Sequence, residues 1–297
     1  MKVAKLWTDL SAGLFRGIDS AVLDDFRAPG GLNRRLAAWD PGEQSLRYFK
    51  FLLLHVAQSK PPQFFERYRR LGEVGIGRPV SVAVNGCAIN ADHLFAVEEA
   101  MFLEAAIAPE SLRTVVEIGG GFGRTAQALL CLNRHVERYL IVDLPEMLRL
   151  SELYLRRALP PALFDKVRFV NALEPREDVN ADLVLNIDSF QEMPRETVLQ
   201  YMRSPIGQAR VFYTKNPIGK YEPQSVGIEV RDRTALAEVL SLGLCTDVLD
   251  IFDTDALARA RAGYLANYLP GPSWRVLADA PMDMFPYLHH ALYERVP

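Results

Sequence analysis

The segment VVEIGGGFGR, residues 115–124, holds the densest glycine cluster of the chain. An apolar run ends at Ile118, glycines follow at 119, 120, 121 and 123, and a segment of helical spacing begins near Phe122. Glycine adopts the left-handed backbone angles of a tight turn, and its missing Cβ lets a ligand approach the main chain. In an open parallel sheet, ligands bind beyond the carboxyl ends of the strands. The segment therefore predicts a strand, a ligand-binding turn and a helix.

Short apolar runs alternate with helical segments from Leu112 onward. The runs predict strands at residues 115–118, 139–142, 167–170, 183–187, 211–214, 274–278 and 291–296. Helices are predicted from the glycine turn to about residue 133 and at residues 145–158, 194–203, 234–242 and 255–268. Apolar strands that alternate with helices are typical of a parallel sheet covered on both faces. We therefore expect an α/β, Rossmann-like domain over residues 111–297, whose sheet is mostly parallel with the last strand antiparallel.

The first 110 residues indicate a helical region of their own. Apolar spacing predicts helices at residues 45–59, 62–71 and 92–107, the last of them capped by Asn90 or Asp92. The apolar patch at residues 79–89 fits a short strand and a loop equally well. We interpret residues 1–110 as a lid or a dimerisation region, which would allow a homodimer.

The composition narrows the classes of partner. The 297 residues are 49% hydrophobic and carry a net charge of −3, whereas nucleic-acid-binding proteins usually show a clear basic excess. The longest apolar run, residues 51–57, is much shorter than the roughly 20 residues of a membrane-spanning helix. The three cysteines are far apart and lack metal-ligand spacing, which fits a reducing compartment. We expect a cytoplasmic protein that binds neither nucleic acid nor membrane and holds no resident metal.

The spacing of the glycines discriminates between cofactors. The dinucleotide-binding pattern is GxGxxG, and no placement of the glycines at 119, 120, 121 and 123 reproduces it. The pattern present is ExGxGxG, from Glu117 to Gly123. Asp143 follows Gly123 by 20 residues, at the predicted end of the second strand. An acidic residue at about that distance binds the ribose hydroxyls of an adenosine-containing cofactor; alternatively, Asp143 caps the helix that begins at Pro145.

Three motifs together resemble a family of bacterial sugar O-methyltransferases, which belong to the class I methyltransferases that depend on S-adenosylmethionine. They are the glycine turn, LIVDLPEM at residues 140–147 and NIDSFQEMP at residues 186–194. DLPE also resembles small-molecule O-methyltransferases of the plant phenolic type. The resemblance implies a class I methyltransferase fold, S-adenosylmethionine as methyl donor, and a small-molecule acceptor with a hydroxyl group, a sugar or a glycoside.

The resemblance also implies roles for individual residues. Those lining the methionine end of the cofactor would be Glu117, Gly119, Gly121 and Phe122. Asp143 would hold the ribose, Leu144 would pack on the adenine, and Asn186 would complete the cofactor contacts. Asn171 and Ala172 would lie at the adenine edge, where many class I enzymes have an acidic residue instead of the Asn171 found here.

Methylation of a hydroxyl needs a general base within hydrogen-bond reach, because a sugar hydroxyl is a poor nucleophile until its proton leaves. The fourth predicted strand carries Asp188 and Glu192 to the carboxyl edge of the sheet, and either could act as base. Histidines are the rival bases, and we name His290 first among them. The further candidates are His289 and His93 as bases, and Lys215 and Asn216 as acceptor contacts.

Three other functions remain open from the sequence. A methyltransferase for a phenol, polyketide or amine would need an aromatic-lined pocket, which residues such as Tyr48, Phe49, Phe64 and Tyr68 could supply. A non-catalytic relative would keep the glycine turn and lack a base. A nicotinamide-dependent oxidoreductase is disfavoured by the glycine spacing.

Overall fold

A computed structural model describes residues 19–28, 45–174 and 180–296 of the chain. The parts of the predicted lid or dimerisation region at residues 1–18 and 29–44 lie outside the described residues. No helix within the described ranges is long and apolar enough to cross a membrane.

The strands form a two-stranded hairpin and a seven-stranded sheet. Their bounds are β1 Ser81–Val84, β2 Cys87–Asn90, β3 Thr114–Ile118, β4 Arg138–Asp143, β5 Val167–Asn171, β6 Leu183–Ile187, β7 Val211–Pro217, β8 Trp274–Pro281 and β9 Leu288–Arg295. The order in the larger sheet is β5-β4-β3-β6-β7-β9-β8. The pairs β4/β5, β3/β6 and β6/β7 are parallel, and β9 is antiparallel to both of its neighbours. The predicted α/β Rossmann-like sheet, mostly parallel with an antiparallel last strand, is confirmed.

The helices lie close to their predicted positions. Their bounds are α1 Ser45–Gln58, α2 Pro62–Arg70, α3 Ala91–Ala106, α4 Arg124–Leu132, α5 Pro145–Ala158, α6 Pro161–Phe164, α7 Arg195–Arg203, α8 Arg233–Ser241 and α9 Thr254–Asn267. Helix α4 begins at Arg124, two residues after the predicted start near Phe122, because Gly123 takes the left-handed conformation with φ of 95°.

The described chain divides into two compact units. The amino unit comprises residues 19–28, 45–114 and 120–174, and the carboxyl unit comprises residues 115–119 and 180–296. The predicted boundary between residues 1–110 and 111–297 stays a prediction.

In the amino unit, the patch at residues 79–89 is a β-hairpin and not a loop. Strands β1 and β2 pair in register from Ser81 opposite Asn90 to Val84 opposite Cys87. Asn85 and Gly86 connect them with φ of 49° and 75°, and an Asn-Gly pair is a strong hairpin signal because both residues tolerate positive φ. Asn90 then caps α3, since its side chain accepts the His93 main-chain N–H.

The carboxyl unit is built around strands that are buried on both faces. Every residue of β6 and β7 is buried, which is why both strands begin as apolar runs, at residues 183–185 and 211–213. Aromatic rings stack in this core, Phe212 on Tyr293 at 5.7 Å and Phe190 on Tyr268 at 6.2 Å between centroids. The polar residues at the ends of β6 and β7 are therefore supported by a well-packed core.

Candidate functional site

Three glycines of the turn share a left-handed backbone conformation but differ in what surrounds them. Gly119, Gly121 and Gly123 have φ of 72°, 57° and 95°, a region that L side chains rarely adopt. A Cβ on Gly119 would lie 2.0 Å from the Ser189 hydroxyl oxygen, and one on Gly123 would lie 2.9 Å from the Leu155 side chain. A Cβ on Gly121 would meet no atom within 4 Å. Gly119 and Gly123 thus allow close packing, while Gly121 leaves the main chain open on one side.

Asp143 is linked to the glycine turn by a hydrogen bond. Its Oδ2 accepts the Gly121 main-chain N–H at 2.9 Å, and its Oδ1 accepts the Leu144 N–H at 2.8 Å. The N-cap residue of α5 is Leu144, whose side chain makes no capping hydrogen bond, so Asp143 precedes the N-cap residue. Asp143 is half-buried.

The predicted adenine contacts lie next to Asp143 in the amino unit. Asn171 is opposite Asp143 in the β4/β5 register, and the Ala172 N–H donates to the Asp143 carbonyl at 2.9 Å. The Asn171 amide is used locally, since Nδ2 donates to Glu174 at 2.8 Å and Oδ1 accepts the Leu173 N–H at 3.0 Å. Leu144 is half-buried, which leaves part of its side chain accessible for an apolar contact.

The side chain of Phe122, which is predicted to line the methionine end of the cofactor, packs in an aromatic cluster. The ring is buried in the amino unit, with centroids 4.8 Å from Tyr154 and 5.4 Å from Phe26 in edge-on geometry. The Arg27 guanidinium carbon lies 5.1 Å from the ring centroid. This burial favours a role in holding the turn over a contact between the ring and a cofactor.

His93 is enclosed in a buried polar network. Gln127 donates through Nε2 to the carbonyls of Leu71 and Glu73, so its Oε1 is the acceptor for His93 Nε2 at 2.9 Å. This assigns the proton to Nε2. Nδ1 then accepts from Arg27 Nη2 at 3.3 Å, because arginine can only donate.

The charge state of His93 follows from the same surroundings. Burial, and next the positive charge of Arg27, lower the pKa of His93 to about 3. The imidazole is therefore neutral near pH 7, and both of its nitrogens have partners inside the protein. This favours a structural role for His93 over the predicted role as a base.

In the carboxyl unit, Asn186 organises the loop that follows β6. Its Nδ2 donates to the Ile118 carbonyl at 2.9 Å and to the Ser189 hydroxyl at 2.6 Å, and its Oδ1 accepts from Asn216 at 2.8 Å. Asn216 also donates to Thr214 at 2.8 Å. Both amides are fully buried, so the geometry favours positioning roles over the predicted direct contacts. Glu117, likewise predicted to bind the cofactor, is buried in β3.

Asp188 is held in a strained conformation at the end of β6. Its φ is 61°, which is uncommon for residues other than glycine and costs energy that the surroundings must offset. Its N–H donates to the Lys215 carbonyl at 2.8 Å, and its carboxylate lies 3.9 Å from the buried Lys215 ammonium. The two candidate residues Asp188 and Lys215 are therefore brought together.

The two histidines of β9 lie on opposite sides of the strand, as alternation requires. His290 is opposite Lys215 in the register, and its Nδ1 is 2.7 Å from the Tyr213 hydroxyl. His289 Nε2 is 2.8 Å from Asp279, and burial, more than any other cause, lowers the pKa of His289. Tyr213 and Asp279 carry no sequence motif, and their histidine partners are 77 and 10 residues away along the chain.

Glu192 belongs to a second charged group of the carboxyl unit. Lys220 donates through Nζ to the Gln191 carbonyl at 3.0 Å. Burial lowers the pKa of Lys220, and the charge of Glu192 acts in the opposite direction. Glu192 is half-buried. Its effect on the pKa of Lys220 shows that the two charges lie within electrostatic range of each other.

Other side chains with chemical potential have structural surroundings. Phe64 and Tyr68 are buried, and the Tyr68 hydroxyl donates to the Ala88 carbonyl at 2.9 Å. Burial raises the pKa of the Cys131 and Cys245 thiols to about 11, which disfavours a nucleophilic thiolate. Within residues 19–28, 45–174 and 180–296, no group of three or more His, Cys, Asp or Glu residues could hold a metal ion.

Comparison with known proteins gives matches in structure alone. No protein-family model and no curated protein sequence matches the chain. Among solved structures, the chain is similar to the mitomycin 7-O-methyltransferase MmcR, with 18% identity, a TM-score of 0.47, and coverage of 98% of this chain and 82% of that chain. It is similar to the methyltransferase domain of bacterial CtHen1, with 11% identity, a TM-score of 0.46, and coverage of 69% and 98%. It is also similar to the glycopeptide N-methyltransferase MtfA complexed with sinefungin, with 14% identity, a TM-score of 0.42, and coverage of 68% and 86%.

Proposed function

We propose that this chain is an S-adenosylmethionine-dependent O-methyltransferase that acts on a hydroxyl of a sugar or a glycosylated small molecule. The observation that carries the proposal is the hydrogen bond from the Gly121 N–H to the Asp143 carboxylate at 2.9 Å, made by a glycine whose Cβ position is open space. It joins the two features by which adenosine-containing cofactors are held, a glycine turn and an acidic residue after the second strand.

The residues of the amino unit fit such a cofactor. Gly121 has room beside its main chain, since a Cβ there would meet no atom within 4 Å. Asp143 would accept hydrogen bonds from the ribose hydroxyls, and the half-buried Leu144 would cover one face of the adenine. Ala172, whose N–H is fixed on the Asp143 carbonyl, would bound the adenine edge with Asn171.

When bound, S-adenosylmethionine supplies a methyl group activated by its sulfonium. The chain's own task is to orient an acceptor hydroxyl and take up its proton as attack proceeds, which typically contributes 10²- to 10⁴-fold in rate. Asp188, Glu192 and His290 are the proposed bases. In the tautomer with the proton on Nδ1, His290 would donate a hydrogen bond to the Tyr213 hydroxyl, and Nε2 would be the basic nitrogen.

An acceptor of sugar type is supported by the chemistry at the end of β6. Asp188 is half-buried and can bond sugar hydroxyls, while Lys215 lies 3.9 Å from its carboxylate. Tyr287 is close enough that Asp188 contributes, after burial, to the raised pKa of its hydroxyl. A carboxylate beside a half-buried aromatic ring suits a ligand with both hydroxyl groups and apolar faces.

The donor site is tested by Asp143→Ala, with Asp165→Ala as the matched control. Asp165 is an exposed carboxylate of the same unit, so its removal leaves the turn intact. We expect calorimetric titration with S-adenosylhomocysteine to show binding by the wild type and the control, and no measurable binding by Asp143→Ala. Equal affinity of all three proteins for S-adenosylhomocysteine would show that Asp143 does not bind the ribose of the cofactor.

The acceptor class is tested by transfer of a labelled methyl group to a panel of free sugars, glycosides, phenols and amines. We expect label on the sugars or glycosides, and less transfer by the Asp188→Asn variant. Label on phenols or amines alone would replace the sugar acceptor with one of the other acceptors that the sequence left open.

A further inference from the structure

Arg27 is the most completely enclosed charge of the amino unit. Its side chain is 0% exposed, although most of residues 19–25 are exposed. Its Nε donates to Asp92 at 3.1 Å, and Nη1 donates to the carbonyls of Val74 and Ile76 at 3.3 and 2.9 Å. Nη2 donates to Asn90 at 2.8 Å and faces His93 Nδ1 at 3.3 Å. All five N–H donors of the guanidinium therefore have an acceptor.

This arrangement anchors the segment at residues 19–28. The Arg27 N–H also donates to the Gly77 carbonyl at 3.0 Å. Phe26 packs so closely on Gly77 that a Cβ there would lie 2.5 Å from the ring. A buried guanidinium is costly to remove from its partners, because each partner would be left in the interior without its hydrogen bond. The segment is consequently held in one position.

The anchored segment contacts the glycine turn through Phe122. Phe26 meets the Phe122 ring edge-on at 5.4 Å, and the Arg27 guanidinium carbon lies 5.1 Å from the centroid of the same ring. Phe122 stands between Gly121 and Gly123, both at positive φ. Glycines give the turn little stiffness of its own. Phe122 carries the one side chain between Gly119 and Gly123, so its packing adds a restraint that the glycines lack.

We infer that Arg27 is a positioning residue for donor binding. By anchoring residues 19–28, it fixes Phe122 and so holds the Gly121 N–H towards Asp143. The inference rests on the proposed function, because it presupposes that S-adenosylmethionine binds at this turn. Preorganisation of this kind raises affinity by reducing the ordering cost at binding.

Coupling between two sites is reciprocal. If docking of residues 19–28 strengthens donor binding, donor binding must strengthen that docking by the same factor, typically 5- to 150-fold. A purely structural role for Arg27 would lower the stability of the fold without linking the ligand to this segment.

The test combines hydrogen exchange with three variants of the full chain, using S-adenosylhomocysteine as the probe. Arg27→Met removes the anchor. Arg78→Met is the matched control, since Arg78 is 72% exposed and lies 3.6 Å from Asp25 of the same segment. Phe26→Leu keeps the charge network and weakens the ring contacts of Phe26, which are with Phe122 at 5.4 Å and Tyr154 at 6.2 Å between centroids.

We expect the ligand to slow amide exchange at residues 26–28 in the wild type. We also expect Arg27→Met and Phe26→Leu to bind at least about fivefold more weakly, and Arg78→Met to bind as the wild type does. If Arg27→Met fails to fold, the exchange data and Phe26→Leu decide the question.

Unchanged exchange in a wild type that binds the ligand, or unchanged affinity of the folded Arg27→Met or Phe26→Leu variants, would overturn the inference alone. A folded wild type that does not bind S-adenosylhomocysteine would overturn the proposed function and the inference with it.

Discussion

Asp143 and Gly121 are 22 residues apart in the chain and joined by one hydrogen bond in the fold. The bond places a carboxylate beside a main chain that has room for a ligand. The left-handed φ of Asp188 is a similar feature of the carboxyl unit, since strained residues cluster at functional sites and are held there by their surroundings. At the scale of residues, Gly121 and Asp188 both have a left-handed backbone conformation, and both belong to the proposed binding sites.

His93 predicts a pH dependence of stability. Its pKa in the folded chain is about 3, whereas it is about 6.5 in an unfolded chain. Below pH 6.5 the unfolded state therefore binds a proton at His93 that the folded state does not bind. The free energy of unfolding consequently falls with falling pH, by up to about 1.4 kcal/mol per pH unit. We expect chemical unfolding at pH 7, 6 and 5 to show a shallower loss for His93→Gln than for the wild type. Parallel losses in the two proteins would show that His93 is not held neutral.

At the scale of elements, the glycine turn predicts different outcomes for equivalent substitutions. Gly121→Ala places a methyl group in open space, so its stability cost is limited to backbone strain of roughly 1–2 kcal/mol, while binding of S-adenosylhomocysteine is lost. Gly123→Ala adds an overlap with Leu155 at 2.9 Å, which costs typically a further 1–3 kcal/mol. Unfolding and titration of both variants check this. A Gly121→Ala protein that keeps full affinity would show that the open side of the turn is not the binding face.

Most helices and strands could be predicted because the sequence patterns that indicate them lie within one segment. Helix α5 and strand β6 lie at the predicted residues, since proline at a first helical position and a continuous apolar run are read within one segment. The sequence does not distinguish a strand from a loop at the hairpin of residues 81–90, although Asn85 and Gly86 carry a turn signal, because four-residue strands show little alternation. Strand β7 extends to Pro217, beyond the predicted residue 214, because its polar end is buried by pairing with β9.

At the scale of the whole molecule, the candidate site was predictable only where a motif marks it. The glycine turn and Asp143 belong to a spacing that can be read from the chain. Arg27 could not be found in this way, since its partners Asp92 and Asn90 are 65 and 63 residues away. The packing of its guanidinium on Phe122 is a property of the folded core. The same holds for Tyr213, which meets His290 across 77 residues.

The proposed homodimer and the lid role of residues 1–110 stay predictions. Part of that region lies outside the described residues. The described part contains α1, where Tyr48 and Phe51 are exposed on one face while Leu53 is buried.

Calorimetric titration of the purified wild type is the most direct test of whether the chain binds S-adenosylmethionine at its glycine turn. The two ligands are S-adenosylhomocysteine and NAD, in separate titrations of one folded sample. We expect binding of S-adenosylhomocysteine with micromolar affinity, which corresponds to a binding free energy of about −8 kcal/mol, and no binding of NAD. Binding of NAD, or no binding of S-adenosylhomocysteine by a folded sample, would contradict this expectation.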